Sequence, residues 1–438
     1  MLLEYGAWRA DRPVGRRARA GETQRSGCHK AASVAGSARV SHQRFDPGPL
    51  PALRSSYERR PRRFAHIDAQ TWGSWHWQHQ NRLRRPEHFE DVLELSAEER
   101  VAFVKSAQRF RVAVTPHYAA LMAPDDPSCG VRQQGLPQPG ELQSFEFELE
   151  DPLAEEAHMP VPGITHRYPD RVLFYVSHHC PVYCRHCTRK RKVSDPTTAA
   201  ARDQIAQGLE YIRNTPTARD VVVSGGDPLT LSDERLGEIL RGLRAIEHVE
   251  VIRLGTRNPV TLPQRITPEL CEILREVRPV YVHTHFNHPD ELSQESARAL
   301  GMLLDAGCVL GNQMVLLRGV NDRPETVMEL NRQLLRLGCR PYYMLQCDMA
   351  QGISHFRTPL TTGLKIMAHL RGRIGGMGVP HFVVDLPGGG GKVELVPDHI
   401  VGTAESPWGQ VVTFSNSDGK RFEFVDVDPA RLEGDAER

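Results

Sequence analysis

The run Val172-Leu-Phe-Tyr-Val-Ser177-His-His-Cys180-Pro-Val-Tyr-Cys184-Arg-His-Cys187 decides how the rest of the chain is read. Its first six residues are apolar, β-branched or aromatic and predict a buried strand. Three cysteines follow at once, spaced C-x3-C-x2-C. Three thiolates can hold three irons of a [4Fe-4S] cube, whereas a fully ligated cube takes four. The fourth iron would be left open to a substrate or cofactor. A structural zinc knuckle needs a fourth Cys or His. His178, His179 and His186 are near enough in sequence to keep that alternative open by counting.

Outward from this run the pattern repeats. Strand candidates fall at 172–177, 220–224, 250–254, 279–284, 309–317 and 341–347. Amphipathic helix candidates lie between them, at 200–214, 232–246, 267–277, 291–306 and 324–338. Strands alternating with helices predict a parallel sheet with right-handed crossovers. Six units predict an α/β fold with a partial, (β/α)6 TIM-like barrel, whose chemistry belongs at the C-terminal strand ends. The three cysteines, Ser224–Asp227, His283–His285 and Cys347–Asp348 all fall there.

The flanks differ. Residues 1–63 hold 14 Lys or Arg against 5 Asp or Glu and show little apolar period; they read as a disordered basic arm. An organelle transit peptide or an early start codon are the competing readings. Residues 64–160 read as a mostly helical lead-in, with an N-cap signature at Ser96 opening a helix over 96–112. The barrel spans 161–375, and 376–438 form a small β-rich extension with a fraying acidic tail.

The 438 residues carry a net charge of +1, so no global field points to nucleic acid or a membrane. Nine cysteines with one tight cluster suit a reducing cytoplasm rather than a disulfide framework. No apolar run is long enough to span a bilayer.

Two glycine runs carry chemistry. Gly225-Gly226-Asp227 ends the second strand, where glycines let a ligand approach the backbone; a plain turn is the bland reading. Gly388-Gly389-Gly390-Gly391-Lys392 can expose consecutive N–H groups as an anion nest, beside a lysine able to form a Schiff base. Pyridoxal phosphate needs both. A flexible hinge with a solvated lysine is the alternative. A Walker A loop fits worse, because Val393 follows the lysine.

The cysteine spacing resembles the radical S-adenosylmethionine superfamily. Further runs sharpen the resemblance: His166-Arg-Tyr168-Pro-Asp-Arg171, Tyr183–Arg189, Gly225–Leu229, His283-Thr-His285-Phe-Asn-His-Pro289, Gly311-Asn-Gln313, Arg357-Thr-Pro359 and Asp385–Lys392. From about 65 to 415 the chain is similar to the lysine 2,3-aminomutase family. That resemblance implies a [4Fe-4S] cluster on Cys180, Cys184 and Cys187, S-adenosylmethionine, and pyridoxal phosphate on Lys392. It implies contacts to the cofactors from Tyr168, Arg171, His285, Gln313 and the two glycine runs, with Arg189 on the substrate carboxylate. Asp348 and Asp385 would receive a positive far end of the substrate. The implied reaction is an isomerisation in which a 5′-deoxyadenosyl radical takes the β-hydrogen and the amino group moves from Cα to Cβ. L-lysine is the first substrate to expect and arginine the second, since a guanidinium fork suits two carboxylates; β-lysine or β-arginine would suit antibiotic or other specialised-metabolite biosynthesis. A low-potential donor such as flavodoxin or ferredoxin, and a homo-oligomer, belong to the same expectation.

Two departures from the family pattern stand out. The clostridial-type enzymes bind zinc between subunits through late cysteines; here none follows Cys347, and Arg323 follows Asn321-Asp322. Met314 stands beside Gln313 where a small hydroxyl residue is expected, which could alter the pocket.

Overall fold

The structure is a computed structural model that describes residues 53–193, 202–429 and 431. One sheet organises it. Nine strands follow one another in chain order: β1 (Ile164–Tyr168), β2 (Arg171–Ser177), β3 (Asp220–Gly225), β4 (Val251–Gly255), β5 (Val280–Thr284), β6 (Val309–Leu316), β7 (Arg340–Gln346), β8 (His381–Leu386) and β9 (Gly391–Glu394). Strands β2 to β8 are parallel, and β1 and β9 pair antiparallel at the two edges. The six expected strands each lie within a residue or two of an observed one.

The sheet is wider than six because β1, β8 and β9 join it. The apolar run Phe382–Val384 pairs in register with Tyr343–Leu345, so no break in the sheet occurs at 375. The crossover before it, helix Leu360–Leu370, was not expected from sequence. The helices that were expected appear as Arg202–Arg213, Asp233–Arg244, Pro268–Glu276, Gln294–Asp305 and Pro324–Arg336. Residues 200 and 201 lie outside the described residues. Ser232, Thr267 and Ser293 each cap a helix by accepting an N–H two or three positions inside it.

The apolar faces of these helices cover the outer side of the sheet. Val221, Val223, Ile252, Leu254, Val280 and Val282 meet Leu236, Leu240, Leu270 and Leu300 in one buried cluster. Alternation along each strand then leaves the inner side polar: Ser224, Arg253, His283 and Gln313 line a cavity there. Met314 is a correction to the sequence reading. It is 1% exposed and packs with Leu316, Met344 and Phe382, on the face away from Gln313 and from the cavity.

The lead-in consists of short helices and loops. Ser96 caps helix Ala97–Ala107 through a reciprocal box with Glu99, and the helix stops five residues before the expected end. Part of the stretch read as the end of the arm is packed against the fold. Ser55 and Ser56 are buried, and both hydroxyls with the Ser56 N–H donate to Glu295. Residues 1–52 lie outside the described residues. At the other end, β10 (Ile400–Ser406), β11 (Gly409–Ser415) and β12 (Arg421–Val427) form a separate antiparallel sheet; residues 432–438 are not described. No helix among the described residues is long and apolar enough to cross a membrane.

Candidate functional site

The C-terminal strand ends carry two adjoining centres. The first is the cysteine loop after β2. Lead-in residues clasp it from outside: Arg82 Nη1 donates to the Cys180 carbonyl (2.7 Å), Tyr183 N to the Ala113 carbonyl (3.0 Å) and Arg185 N to the Gln134 carbonyl (2.9 Å). Arg185 forks onto buried Glu141 at 2.8 and 2.5 Å. Burial would raise the Glu141 carboxyl, but Arg185 and Lys190 outweigh it and hold it at about 2. Arg185 and Glu141 are thus a buried charge pair that fixes the loop.

Burial raises the thiols of Cys180 and Cys187, and the neighbouring cysteines push the same way. Three mutually close thiols in a dry loop want a cation to make thiolates of them.

The glycine pair at the end of β3 serves this loop. A Cβ on Gly225 would stand 2.4 Å from the Ser177 carbonyl, and one on Gly226 2.5 Å from the His179 carbonyl. The group that approaches these glycines is the backbone of the cysteine loop: Gly226 N donates to Ser177 O (2.5 Å) and Asp227 N to His179 O (2.7 Å). Asp227 is 3% exposed, and its carboxylate accepts from Thr256 Oγ1, Arg257 N and Leu229 N. These bonds tie it to the turn after β4.

The second centre is a cavity of about 450 Å³ inside the curl of the sheet. Tyr168, Arg171, Arg189, Gln313 and Lys392 line it, as the sequence reading proposed, together with Glu155, Arg167, Arg253 and His283, which it did not. His285 does not line this cavity. Its ring packs against His186 of the cysteine loop at 5.5 Å between centroids, and it is His283 that meets Gln313, at 3.0 Å. Burial lowers both imidazoles, to about 4 for His283 and about 3 for His285, so both are neutral.

The two edges of the sheet meet at this cavity. Lys392 N on β9 donates to the Tyr168 hydroxyl on β1 (3.0 Å), and Arg167 on β1 lies 3.6 Å from Asp385 on β8. The four-glycine run is the hairpin between β8 and β9. Leu386 pairs with Gly391 and Asp385 with Lys392, and Gly388, Gly389 and Gly391 all have positive φ, which side chains other than glycine's resist. The bland hinge reading is thus half right: the run turns the chain, and the turn delivers the lysine amine into the cavity. Lys392 Nζ donates to both Asp385 oxygens, at 2.7 and 2.5 Å.

Most other cavity cations also have a carboxylate. Arg253 pairs with Asp220 at 2.8 Å. Arg189 forks onto Glu155 at 2.9 and 2.5 Å, and Tyr175 donates to the same carboxylate. Burial would raise Glu155, but Arg189 and Tyr175 outweigh it and its pKa falls below the usual value. The Glu155–Arg189 pair left no local trace in the sequence. Arg171 is held more loosely: its guanidinium stacks over Tyr168 at 4.2 Å, and its Nε makes no hydrogen bond and pairs with Asp170 only at 3.7 Å. A loosely held guanidinium, a lysine amine and a polar cavity between them fit a phosphorylated aldehyde. Asp348, just beyond β7, and Asp385 are not among the residues that line this cavity; they stand beside it, next to Lys392. Burial and Asp385 push the Asp348 carboxyl up to about 7, against the pull of Lys392 and Arg189.

The chain was compared with known proteins. Residues 174–330 match the family model of the Radical SAM superfamily, and residues 367–418 match the model described as Lysine-2,3-aminomutase. An L-lysine 2,3-aminomutase from Clostridium subterminale is 47% identical over 343 residues, 78% of this chain and 82% of the relative. One from Bacillus subtilis is 45% identical over 341 residues, covering 78% and 72%. A glutamate 2,3-aminomutase from Clostridioides difficile is 40% identical over 330 residues, covering 75% and 78%.

Proposed function

The chain belongs to the lysine 2,3-aminomutase family of the radical SAM superfamily, and from that premise we propose that it moves the α-amino group of a basic L-amino acid to Cβ, with L-lysine as substrate. One observation carries the substrate choice. Asp348 and Asp385 stand at the ends of adjacent strands, close enough for one charge to raise the other's pKa. Two neighbouring, largely buried carboxylates are costly until a cation sits between them. That favours a positive far end over the carboxylate of glutamate. A guanidinium satisfies the same charge rule, so arginine is the second reading.

Each residue has a task in this proposal. Cys180, Cys184 and Cys187 would hold a [4Fe-4S] cluster with one iron open to S-adenosylmethionine, and Lys392 and Arg171 would hold pyridoxal phosphate by its carbonyl and phosphate. When bound, these groups supply a hydrogen-abstracting radical and a carbonyl that carries the migrating nitrogen. Lys392 is already aimed into the cavity by its bond to Asp385. Once its amine is committed to a cofactor, Asp385 is left for the substrate's distal cation. Arg189 keeps Nη1 free of Glu155 and can turn that edge to a substrate carboxylate. The helices outside the sheet and the lead-in exclude water from the cavity and hold these groups at fixed separations. A low-potential one-electron donor of the flavodoxin or ferredoxin kind has to reduce the cluster.

Two measurements test the proposal. Borohydride reduction of protein loaded with pyridoxal phosphate should fix the pyridoxyl group on Lys392, and a label elsewhere would overturn the lysine's role. Reconstituted protein incubated without oxygen with S-adenosylmethionine, reductant and each amino acid should isomerise L-lysine. Turnover of arginine but not lysine moves the assignment to the second reading, and turnover of glutamate refutes the two-carboxylate argument.

A further inference from the structure

Arg257 has no part in the reaction as proposed, yet it is the most heavily bonded cation near the cysteine loop. It lies in the turn after β4, in Gly255-Thr-Arg257-Asn-Pro259, and is 8% exposed. Its Nη1 donates to Cys184 Sγ at 2.7 Å. Its Nη2 donates to Glu291 Oε1 (2.7 Å) and to Gln134 Oε1 (2.6 Å), and its Nε to the His285 carbonyl (3.0 Å). Glu291 is fully buried and is held in turn by the Tyr118 hydroxyl (2.8 Å) and the N–H groups of Asn287 (2.6 Å) and His288 (3.1 Å). A guanidinium is thus fixed between a cysteine sulfur and a carboxylate, away from water.

We propose that Arg257 is a positioning residue that sets the reduction potential of the iron–sulfur cluster, with Glu291 as the counter-charge that limits its effect. The inference rests on the reading that Cys184 ligates the cluster. The step concerned is the gain of one electron by the oxidised cube, from a low-potential external donor. No proton moves, because a guanidinium stays charged. The added negative charge spreads over the sulfurs, and hydrogen bonds to those sulfurs raise the potential. A cation in a dry, weakly polarisable site acts on that charge far more strongly than one in water. Glu291 opposes it by partly neutralising the guanidinium and supports it by fixing its orientation.

The signs of two substitutions therefore differ, which a merely structural role would not produce. Arg257→Gln removes the cation and should lower the potential. Glu291→Gln keeps the shape, frees the full positive charge, and should raise it. Arg257→Lys should fall between native and Arg257→Gln. The experiment is anaerobic reconstitution of all four proteins, assay of bound iron and sulfide, and a potentiometric titration followed by electron paramagnetic resonance, with no S-adenosylmethionine or amino acid present. Arg257→Gln should change the reduction equilibrium tenfold or more, about 59 mV for one electron. Shifts of the same sign in Arg257→Gln and Glu291→Gln, or no shift at full iron content, overturn the inference. Should Arg257→Gln fail to load iron, Glu291→Gln decides alone: a raised potential supports the inference, and an unchanged or lowered one overturns it. Native protein that takes up no iron refutes the cluster reading itself, which is a different result from a loaded cluster with an unmoved potential.

Discussion

Asp348 gives the proposed substrate site a pH signature. Its carboxyl lies at about 7 rather than the ordinary 3.8, because it is buried and faces Asp385. A cationic substrate end binds the ionised form, so proton and substrate compete. With a pKa of about 7, roughly a tenth of Asp348 is ionised at pH 6 and roughly nine tenths at pH 8. The apparent Kd for L-lysine should then fall about tenfold across that interval. Asp348→Asn removes a charge-assisted hydrogen bond worth roughly 1.5–3 kcal/mol, so lysine should bind about ten- to a hundredfold more weakly at pH 8. At pH 6 that gap should shrink by about tenfold. The assay is calorimetric titration of L-lysine into anaerobic, pyridoxal-phosphate-loaded protein without reductant. The substrate's own α-amino group titrates too, but equally in both proteins, so the difference between them isolates Asp348. A difference that is constant with pH, or that grows toward pH 6, refutes the reasoning. The same group acts on stability: between about 4 and about 7 the folded protein holds a proton that the unfolded chain has released. Its contribution therefore falls as pH rises through that window.

Three other outcomes are expected. Cys184→Ala should lose both bound iron and cleavage of S-adenosylmethionine, measured by iron assay and by chromatography of 5′-deoxyadenosine; retained cleavage would sink the cluster assignment. Gly226→Ala should force its methyl against the His178–His179 backbone, costing roughly 1–3 kcal/mol and loosening iron, so a drop in melting temperature with faster iron release is expected; native stability with lost cleavage would instead assign the glycine to ligand contact. Burial holds His79, His117, His283 and His355 at about 4 and His285 at about 3. The unfolded chain protonates these below about 6.5, so their stability is present above that value and lost as pH falls. Each contributes on the order of 1 kcal/mol per pH unit in that range, and calorimetry should show a lower melting temperature at pH 5 than at pH 7.

What the sequence disclosed, and what it hid, follows from the range of the interactions. Strands β2 to β7 were legible because a buried outer face alternating with a half-buried inner one favours short β-branched runs such as Val221–Val223. Helix Leu360–Leu370 was not, because Gly363 breaks its pattern. That glycine is there for a neighbour: a Cβ would stand 2.2 Å from the Phe382 ring on β8, a contact across nineteen residues that no local rule anticipates. The cysteines and Lys392 were legible because their chemistry demands a fixed short spacing. His283 and His285 show the limit of that logic. Both lie in one short motif, but β5 ends at Thr284: His283 keeps the strand's inward direction, while His285 sits in the turn beyond it, against His186 of the cysteine loop.

The electrostatics were hidden for the same reason. Glu155 with Arg189, Arg257 with Glu291 and Cys184, and Asp220 with Arg253 are separated by 34, 34, 73 and 33 residues, and none sits in a repeating context. Yet these pairs make the site workable before any cofactor arrives. A cation that faces the cavity without a counter-charge is costly, and Lys392 and Arg189 instead rest on Asp385 and Glu155 until other partners replace them. The exchange costs little, because a carboxylate given up by one cation is taken by the next. On this view Asp385 is at once the resting partner of the lysine and the docking group for the substrate's far end. Asp385→Asn should then weaken lysine turnover by on the order of a hundredfold and also loosen Lys392 in the free protein, which a faster reaction of that lysine with a soluble aldehyde would register. Slower turnover with no change in Lys392 reactivity would separate the two roles and refute the exchange.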